Sequence, residues 1–342
     1  MKRINIISIL FLVFILASCK KDPMQDANHL TDNAVLITLA IPENKPLTRA
    51  DDVHTDTDVN SDDEKRIASA TVLFYDHTTQ LLIKKVSTGA DGISWDHVLQ
   101  RVVIPSGKLD LKKTYDIVVL ANLPEASSLV GTITEGDNRA ALSNLYSKIT
   151  SPITVDQTHP LMMSGMKENH SFSTNKSAQV ALIHQAVKIR VNISLTDEFA
   201  ALGADALFKA ATTPVRLTLF NVPNFSYLIG AGVFNDLAKQ AGYALLDYSP
   251  VEMPRSAALN QWSKTIYAYE NVVDGVSSDH QKRATSFVFQ LPYKASGVEV
   301  SENYYKVMIE DPNTASEAAT KYKTERNHLY DVNVKVKGFG SA

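Results

Sequence analysis

"AVLITLAIPENKPLTRADD", residues 34–52, is the stretch on which the reading of this chain turns. Its first eight residues alternate. Val35, Ile37, Leu39 and Ile41 fall on one side, and Leu36, Thr38 and Ala40 on the other. A period of two with β-branched residues is a strand signal, and Pro42 and Pro46 end it. Residues 50–66, "ADDVHTDTDVNSDDEKR", are acidic, polar and aperiodic, which predicts a loop. One buried-type strand is therefore set apart from everything downstream by a loop that opens at Arg49-Ala50.

Upstream of that strand the chain has a basic start, Lys2-Arg3, then a short apolar run from Ile4 to Leu16, then Leu16-Ala17-Ser18-Cys19. The run is too short to span a membrane and has the form of a signal peptide. Small residues before a cysteine match a bacterial lipobox, with Cys19 lipidated and first in the processed chain. Lys20 follows, with no aspartate to suggest retention at the inner membrane. Cys19 is the only cysteine. That excludes an intrachain disulfide, a thiolate metal site and a cysteine nucleophile in the folded part.

Downstream, strand signals dominate. They cover 67–76, 80–87 (paired with the former as a hairpin), 98–107, 114–124, 214–223, 265–271, 284–293, 303–310 and 328–340. Residues 138–149 have helical spacing at Ala141, Leu145 and Ile149, and 178–195 reads as one long strand or two consecutive ones. With 342 residues, 44% hydrophobic and 21% charged, the chain is globular and long enough for two domains. Short strands at steady spacing predict an all-β protein of sandwiches with a few short helices, dividing near residue 185. Residues 50–342 carry 28 basic and 33 acidic side chains, a net charge of −5, which argues against nucleic-acid binding.

No constellation reads as an active site. Asp56, Asp58, Asn60 and Asp62 alternate like the start of a calcium loop, but Ser61 replaces the turn glycine and Ile67 stands where a bidentate glutamate is needed. Ser173 and Lys176 form a Ser-x-x-Lys in a polar loop rather than at a helix start. Gly230 and Gly232 lack a third glycine. His184, alone on an apolar strand, reads as structural. Trp95 and Trp262, with 13 tyrosines, could form a sugar platform, but at strand positions they read first as core. The expectation is a non-enzyme with no cofactor and no metal.

The two ends of the chain carry the functional reading. A strand between a lipid tether and a loop makes sense if it completes a sandwich and is later removed. Cutting after Arg49 would free the body and let the strand leave, exposing apolar pockets flanked by unpaired backbone groups. The C-terminal segment "HLYDVNVKVKGFG", 328–340, alternates too. Val332, Val334 and Val336 face one way, while Asp331, Asn333, Lys335 and Lys337 face the other. Such a strand from a second subunit could fill the pockets, and head-to-tail exchange that does not close makes a filament. Aspartate at Val334 is expected to leave the monomer folded and abolish donation.

At this point the chain resembles the Bacteroidales fimbrillin family, the pilins of type V pili. The resemblance rests on the lipobox at Cys19, strand 33–41 followed by Thr48-Arg49-Ala50, "VLFYD" (72–76), "LMMSG" (161–165), "HQAVKIRVNIS" (184–194), "YAYEN" (267–271) and "ERNHLYDVNVKVKGFG" (325–340). It implies two tandem transthyretin-like Greek-key β-sandwich domains. The division is then a signal peptide at 1–18, a propeptide with the removable strand at 19–49, and domains at 50–184 and 185–342. It also implies export as an outer-membrane lipoprotein and cutting at Arg49-Ala50 by an Arg-specific surface protease. Polymerisation with other fimbrial subunits by donor-strand exchange would follow, for adhesion in a cell-surface fimbrium. The removable strand would be Val35, Ile37, Leu39 and Ile41, and the donor Val332, Val334, Val336 and Phe339. A shaft subunit is the first reading. A tip or anchor subunit, or a permanently anchored surface lipoprotein that binds glycan, stays open.

Overall fold

The computed structural model describes residues 34–41, 45–47, 62–90, 93–123, 131–156, 158–229, 242–256, 261–273, 278–310 and 321–340. Along the first part run β1 (Ala34–Ala40), β2 (Lys45–Leu47), β3 (Ala70–Asp76), β4 (Leu82–Ser87), β5 (Ser94–Asp96), β6 (Arg101–Pro105), β7 (Thr114–Ala121), β8 (Tyr146–Lys148), β9 (Met163–Ser171), β10 (Ser177–Ala181) and β11 (Ile183–His184). A four-stranded sheet in the order β10-β1-β6-β5 and a five-stranded sheet in the order β11-β9-β7-β3-β4 form the first sandwich. Its core joins Val35, Ile37 and Leu39 of β1 to Val72, Phe74, Val102, Ile104, Ile117, Val119 and Val180. Strands β3 and β7 read as nearly unbroken apolar runs because both their faces are covered. Leu73, Tyr75, Val118 and Leu120 pack outward against Leu142 and Leu228.

The second part holds β12 (Ala186–Leu195), α1 (Asp197–Ala201), α2 (Ala204–Lys209), β13 (Arg216–Phe220), β14 (Val222–Pro223), β15 (Phe225–Tyr227), β16 (Leu245–Leu246), β17 (Val251–Glu252), β18 (Arg255–Ser256), β19 (Gln261–Tyr269), α3 (Ser278–Arg283), β20 (Ser286–Gln290), β21 (Tyr293–Ala295), β22 (Val298–Val300), β23 (Tyr304–Met308) and β24 (His328–Val336). Sheets in the orders β18-β19-β12-β24-β2 and β17-β13-β20-β23 enclose a second core. The chain is all-β with short helices. Its two cores meet at the β11–β12 step, since Leu182 belongs to the first and Val187 to the second.

The halves interleave. β8 pairs with β15, Ile153 bridges Tyr267, and β2, which follows β1 in the chain, pairs with β24. The helical spacing at 138–149 yields only a 3-10 turn, Arg139–Asn144, and then β8. Leu142 is buried there, and the edge of β15 takes up the following residues as a strand, so tertiary pairing overrides the local pattern. The stretch 178–195 is three strands, not one or two. Gly165 marks the step. A Cβ there would collide with the Ala181 carbonyl, so only glycine lets β9 pass close to the end of β10. Helices α1 and α2 follow Thr196, whose Oγ1 accepts the Phe199 N–H at 3.3 Å, an N-cap inside a stretch the strand pattern did not single out.

The first and last long strands point opposite ways relative to the junction of the sandwiches. β1 is parallel to β10, which leads through β11 into β12, and β24 is parallel to β12. β1 therefore runs towards the junction, and β24 runs away from it.

Candidate functional site

The leading strand lies inside a sheet. β1 pairs antiparallel with β6, Val35 opposite Ile104 and Ile37 opposite Val102. On its other side it pairs parallel with β10, Ile37 beside Ala178 and Leu39 beside Val180. Leu36 N–H donates to the Lys176 carbonyl at 2.9 Å, Leu39 N–H to Gln100 at 2.8 Å, and Leu182 N–H to Ala40 at 2.7 Å. Val35, Ile37 and Leu39 are at most 1% exposed, and Ile41 packs half-buried against the same core. Burial of each such side chain is worth about 1.5–3 kcal/mol. Without β1, β6 and β10 would stand about 10 Å apart, two strand spacings, each with a row of backbone groups seeking partners. The slot between them accommodates an extended strand with an apolar side chain buried at every second residue.

The residues after β1 are only partly described. β2 continues the path onto the edge of β24, with Lys45 beside His328 and Leu47 beside Tyr330. Arg49 and Ala50 lie outside the described residues, as do Cys19, Asp56, Asp58, Asn60, Gly230 and Gly232. Asp62 is described and exposed.

The C-terminal strand is built into its own sandwich. β24 pairs along its length with β12, Lys188 beside Leu329 through to Leu195 beside Val336. Val336 is buried, and Val332 and Val334 pack against the second core. On the outer face the Arg190 guanidinium donates to both Asp331 carboxylate oxygens, at 3.1 and 2.7 Å, and Asn192 Nδ2 donates to Asp331 and Asn333 at 2.8 and 2.9 Å. The tail is docked as well. Tyr305 O–H donates to the Gly338 carbonyl at 2.7 Å, and Gly340 N–H to Asn303 Oδ1 at 2.6 Å. The half-exposed Phe339 ring sits 4.4 Å from Tyr293 and 5.3 Å from Phe199. A side chain at position 340 would collide with the Tyr304 carbonyl, which accounts for glycine there.

The remaining candidates have structural surroundings. Trp262 is buried under the Arg255 guanidinium at 4.7 Å, and Trp95 is half-buried, so neither tryptophan offers an open platform. Ser173 and Lys176 lie in the exposed β9–β10 connection, where the Lys176 carbonyl serves β1. Among the described residues, no group of three or more His, Cys, Asp or Glu could hold a metal ion, and no helix is long and apolar enough to cross a membrane.

Sequence reading missed one cluster, at the junction. Glu64, fully buried, pairs with Lys188 Nζ of β12 at 2.9 Å and accepts from the Tyr267 hydroxyl. Its carbonyl lies 3.0 Å from His184 Nε2. A single glutamate in an acidic run carries no signal of burial. Burial holds the His184 pKa below the ordinary histidine range, partly opposed by its contacts with Glu64. The lowered folded-state value means that this contribution is present while the unfolded-state histidine is neutral. It is lost as pH falls below the ordinary histidine value, because only the unfolded chain protonates readily. Thermal unfolding of the wild type should therefore fall more steeply between about pH 7 and 5 than that of His184→Gln; parallel curves would remove His184 as the source.

Residues 37–197 match the family model described as "Major fimbrial subunit protein (FimA)". That segment, a little under half of the chain, is similar to the fimbrial subunit family. No curated protein matches it. Among solved structures it is similar to the tip fimbrial protein of Porphyromonas gingivalis with a C-terminal truncation, at 15% identity and a TM-score of 0.51, covering 89% of this chain and 96% of that one. It is also similar to a putative cell adhesion protein from Parabacteroides distasonis ATCC 8503, at 14% identity and a TM-score of 0.51, covering 90% and 89%. At these identities the likeness concerns the fold. The matched segment begins within β1 and ends just beyond β12, so it takes in most of the slot's strand and both of its walls.

Proposed function

We propose that this chain is a fimbrillin and a structural pilus subunit, exported as a lipoprotein on Cys19, cut between Arg49 and Ala50, and assembled by donor-strand exchange into a surface fimbrium for adhesion. The observation that carries the reading is the burial of β1 between β6 and β10, upstream of Arg49 in the chain. A strand that serves only as a tether has no reason to occupy the centre of a sheet. Before cutting, the lipid holds the precursor at the outer membrane. An arginine-specific surface protease then releases the leader, and a strand of a second subunit takes its place.

The proposed donor is the C-terminal strand. With Val332 in the place of Val35, Val334 and Val336 fall at Ile37 and Leu39. Phe339 falls one residue out of phase with Ile41, so it needs a bulge to reach that pocket. Chain direction suits head-to-tail growth. The slot's leading end, beside Pro105, points away from the junction, and β24 leaves its own sandwich at the opposite end. A second reading, a terminal subunit that accepts a strand but gives none, is favoured by the docked tail at Gly338, Phe339 and Gly340. A glycan-binding lipoprotein has less support, because Trp262 is buried.

The test is the N-terminal residue and intact mass of the protein taken from the native cell surface. A start at Ala50 is expected. A lipidated Cys19 on the full chain would overturn the maturation reading.

A further inference from the structure

The next arginine after Arg49 is Arg66, and its side chain is exposed. A protease that recognises arginine meets both. We propose that Asn122 and Glu64 form a processing stop that withholds the Arg66–Ile67 bond from such a protease and so confines cutting to Arg49. The inference rests on the maturation reading.

Both sides of the Arg66–Ile67 bond are fastened. Asn122, at the end of β7, has a left-handed backbone with φ of 57° and a buried side chain. Its Nδ2 donates to the Arg66 carbonyl at 2.7 Å and to the Leu161 carbonyl at 2.8 Å. Its Oδ1 accepts from Ala68 N–H at 2.8 Å and from Ser69 N–H at 3.4 Å. One amide thereby uses all four of its hydrogen-bonding positions, three of them on the segment around the bond. Ile67 itself is buried in the first core. Two residues upstream of Arg66, Glu64 is held by Lys188 and Tyr267 of the second sandwich. Residues 64–69 thus span the junction, tied to both sandwiches.

A protease binds its substrate as an extended strand, so the segment must detach before it can be cut. The rate then follows the population of the detached form. Hydrolysis would add one water across the Arg66–Ile67 bond, leaving a carboxylate on Arg66 and an ammonium on Ile67. It would also remove Glu64 while Lys188 stays buried in β12, which the fold disfavours. Lys45 and Arg49 are the nearest basic residues upstream of the acidic stretch 51–64, and Lys45 precedes a proline, so Arg49 is the preferred site by sequence as well.

The experiment treats the full chain with an arginine-specific endoprotease and follows products by intact mass and N-terminal sequencing. In the wild type, the product starting at Ala50 should form at least about tenfold faster than the product starting at Ile67. Asn122→Gly keeps the left-handed backbone while deleting the side-chain bonds, and should speed the Ile67 product about tenfold or more. Glu64→Gln, which keeps the size and removes the charge, should speed it too and serves if Asn122→Gly does not fold, as judged by circular dichroism. Adding Arg66→Gln to either variant should abolish the product. Equal rates of the two products in the wild type would overturn the proposal, as would folded variants cut after Arg66 no faster than the wild type. Failure of the maturation reading looks different: no product starts at Ala50, whatever happens at Arg66.

Discussion

A precursor carrying Arg49→Gln will keep its leader and form no multimers, while the wild type cut by an arginine-specific protease will form a ladder on a detergent gel. The reason is the location of β1. Three side chains with at most 1% exposure and backbone ladders on both edges hold it in the slot. While the leader is covalently attached, its re-insertion is intramolecular, at an effective concentration in the millimolar range for a short linker. No second subunit competes with that. Cutting after Arg49 turns the leader into a free peptide that dilutes away, and the slot becomes available. A synthetic peptide of residues 33–41 added to the cut protein should block the ladder and raise the thermal midpoint as ligand binding requires. The same peptide with Ile37→Asp should do neither, since it would place a charge in a pocket that Ile37 fills completely. An Arg49→Gln protein that ladders like the wild type would rule the slot out as the acceptor.

The second large effect concerns donation. Asn192 and Asn333 are partners in the parallel register of β12 and β24, and their side chains meet at 2.9 Å. Adjacent strands are about 4.8 Å apart, within the Cα separation a disulfide accepts. Asn192→Cys with Asn333→Cys, oxidised, should therefore lock β24 to its own sandwich. Once the leader is cut away, the mature chain has no other cysteine to compete. The locked protein is expected to accept the 33–41 peptide normally yet to form no ladder, and reduction should restore assembly. A ladder formed by the locked protein would mean that another segment donates. If neither the locked nor the reduced protein ladders alone, but both join chains of another fimbrial subunit, the terminal reading takes over. The lock is cleaner than aspartate at Val334. The sequence pattern leads one to expect a variant that folds and merely fails to donate, but Val334 packs against its own second core, so the charge would also weaken the donor.

Legibility in the sequence tracks locality. Alternation at 34–41 and 328–336 is a property of neighbouring residues, and both segments are strands with their valines and isoleucine turned inward. The hairpin of 67–76 with 80–87 was legible for the same reason, because β3 and β4 are joined by a short turn. The 138–149 stretch was not. Its 3.6-residue spacing is real, but pairing with β15 decides its state, and β15 lies in the other half of the chain. Glu64 and Asn122 were equally invisible. One sits in an acidic run and the other just beyond a strand end, and each is buried only because distant segments, β12 for Glu64 and 66–69 for Asn122, close over it.

By itself the sequence determined that residues 34–40 form a strand with one apolar face. It also determined that the body is all-β. These depend on side-chain period and turn residues, which act over a few positions. Only the tertiary structure decided that this strand is central rather than at an edge, parallel to β10 and antiparallel to β6. It alone decided that β24 is held by Arg190 and Asn192 on its outer face and by the second core on its inner face. The physical reason is that pairing partners and burial are set by the closure of long loops. Leu36 meets Val103 and Ser177 only after the intervening chain has folded, and no local pattern records which edges will be free to meet.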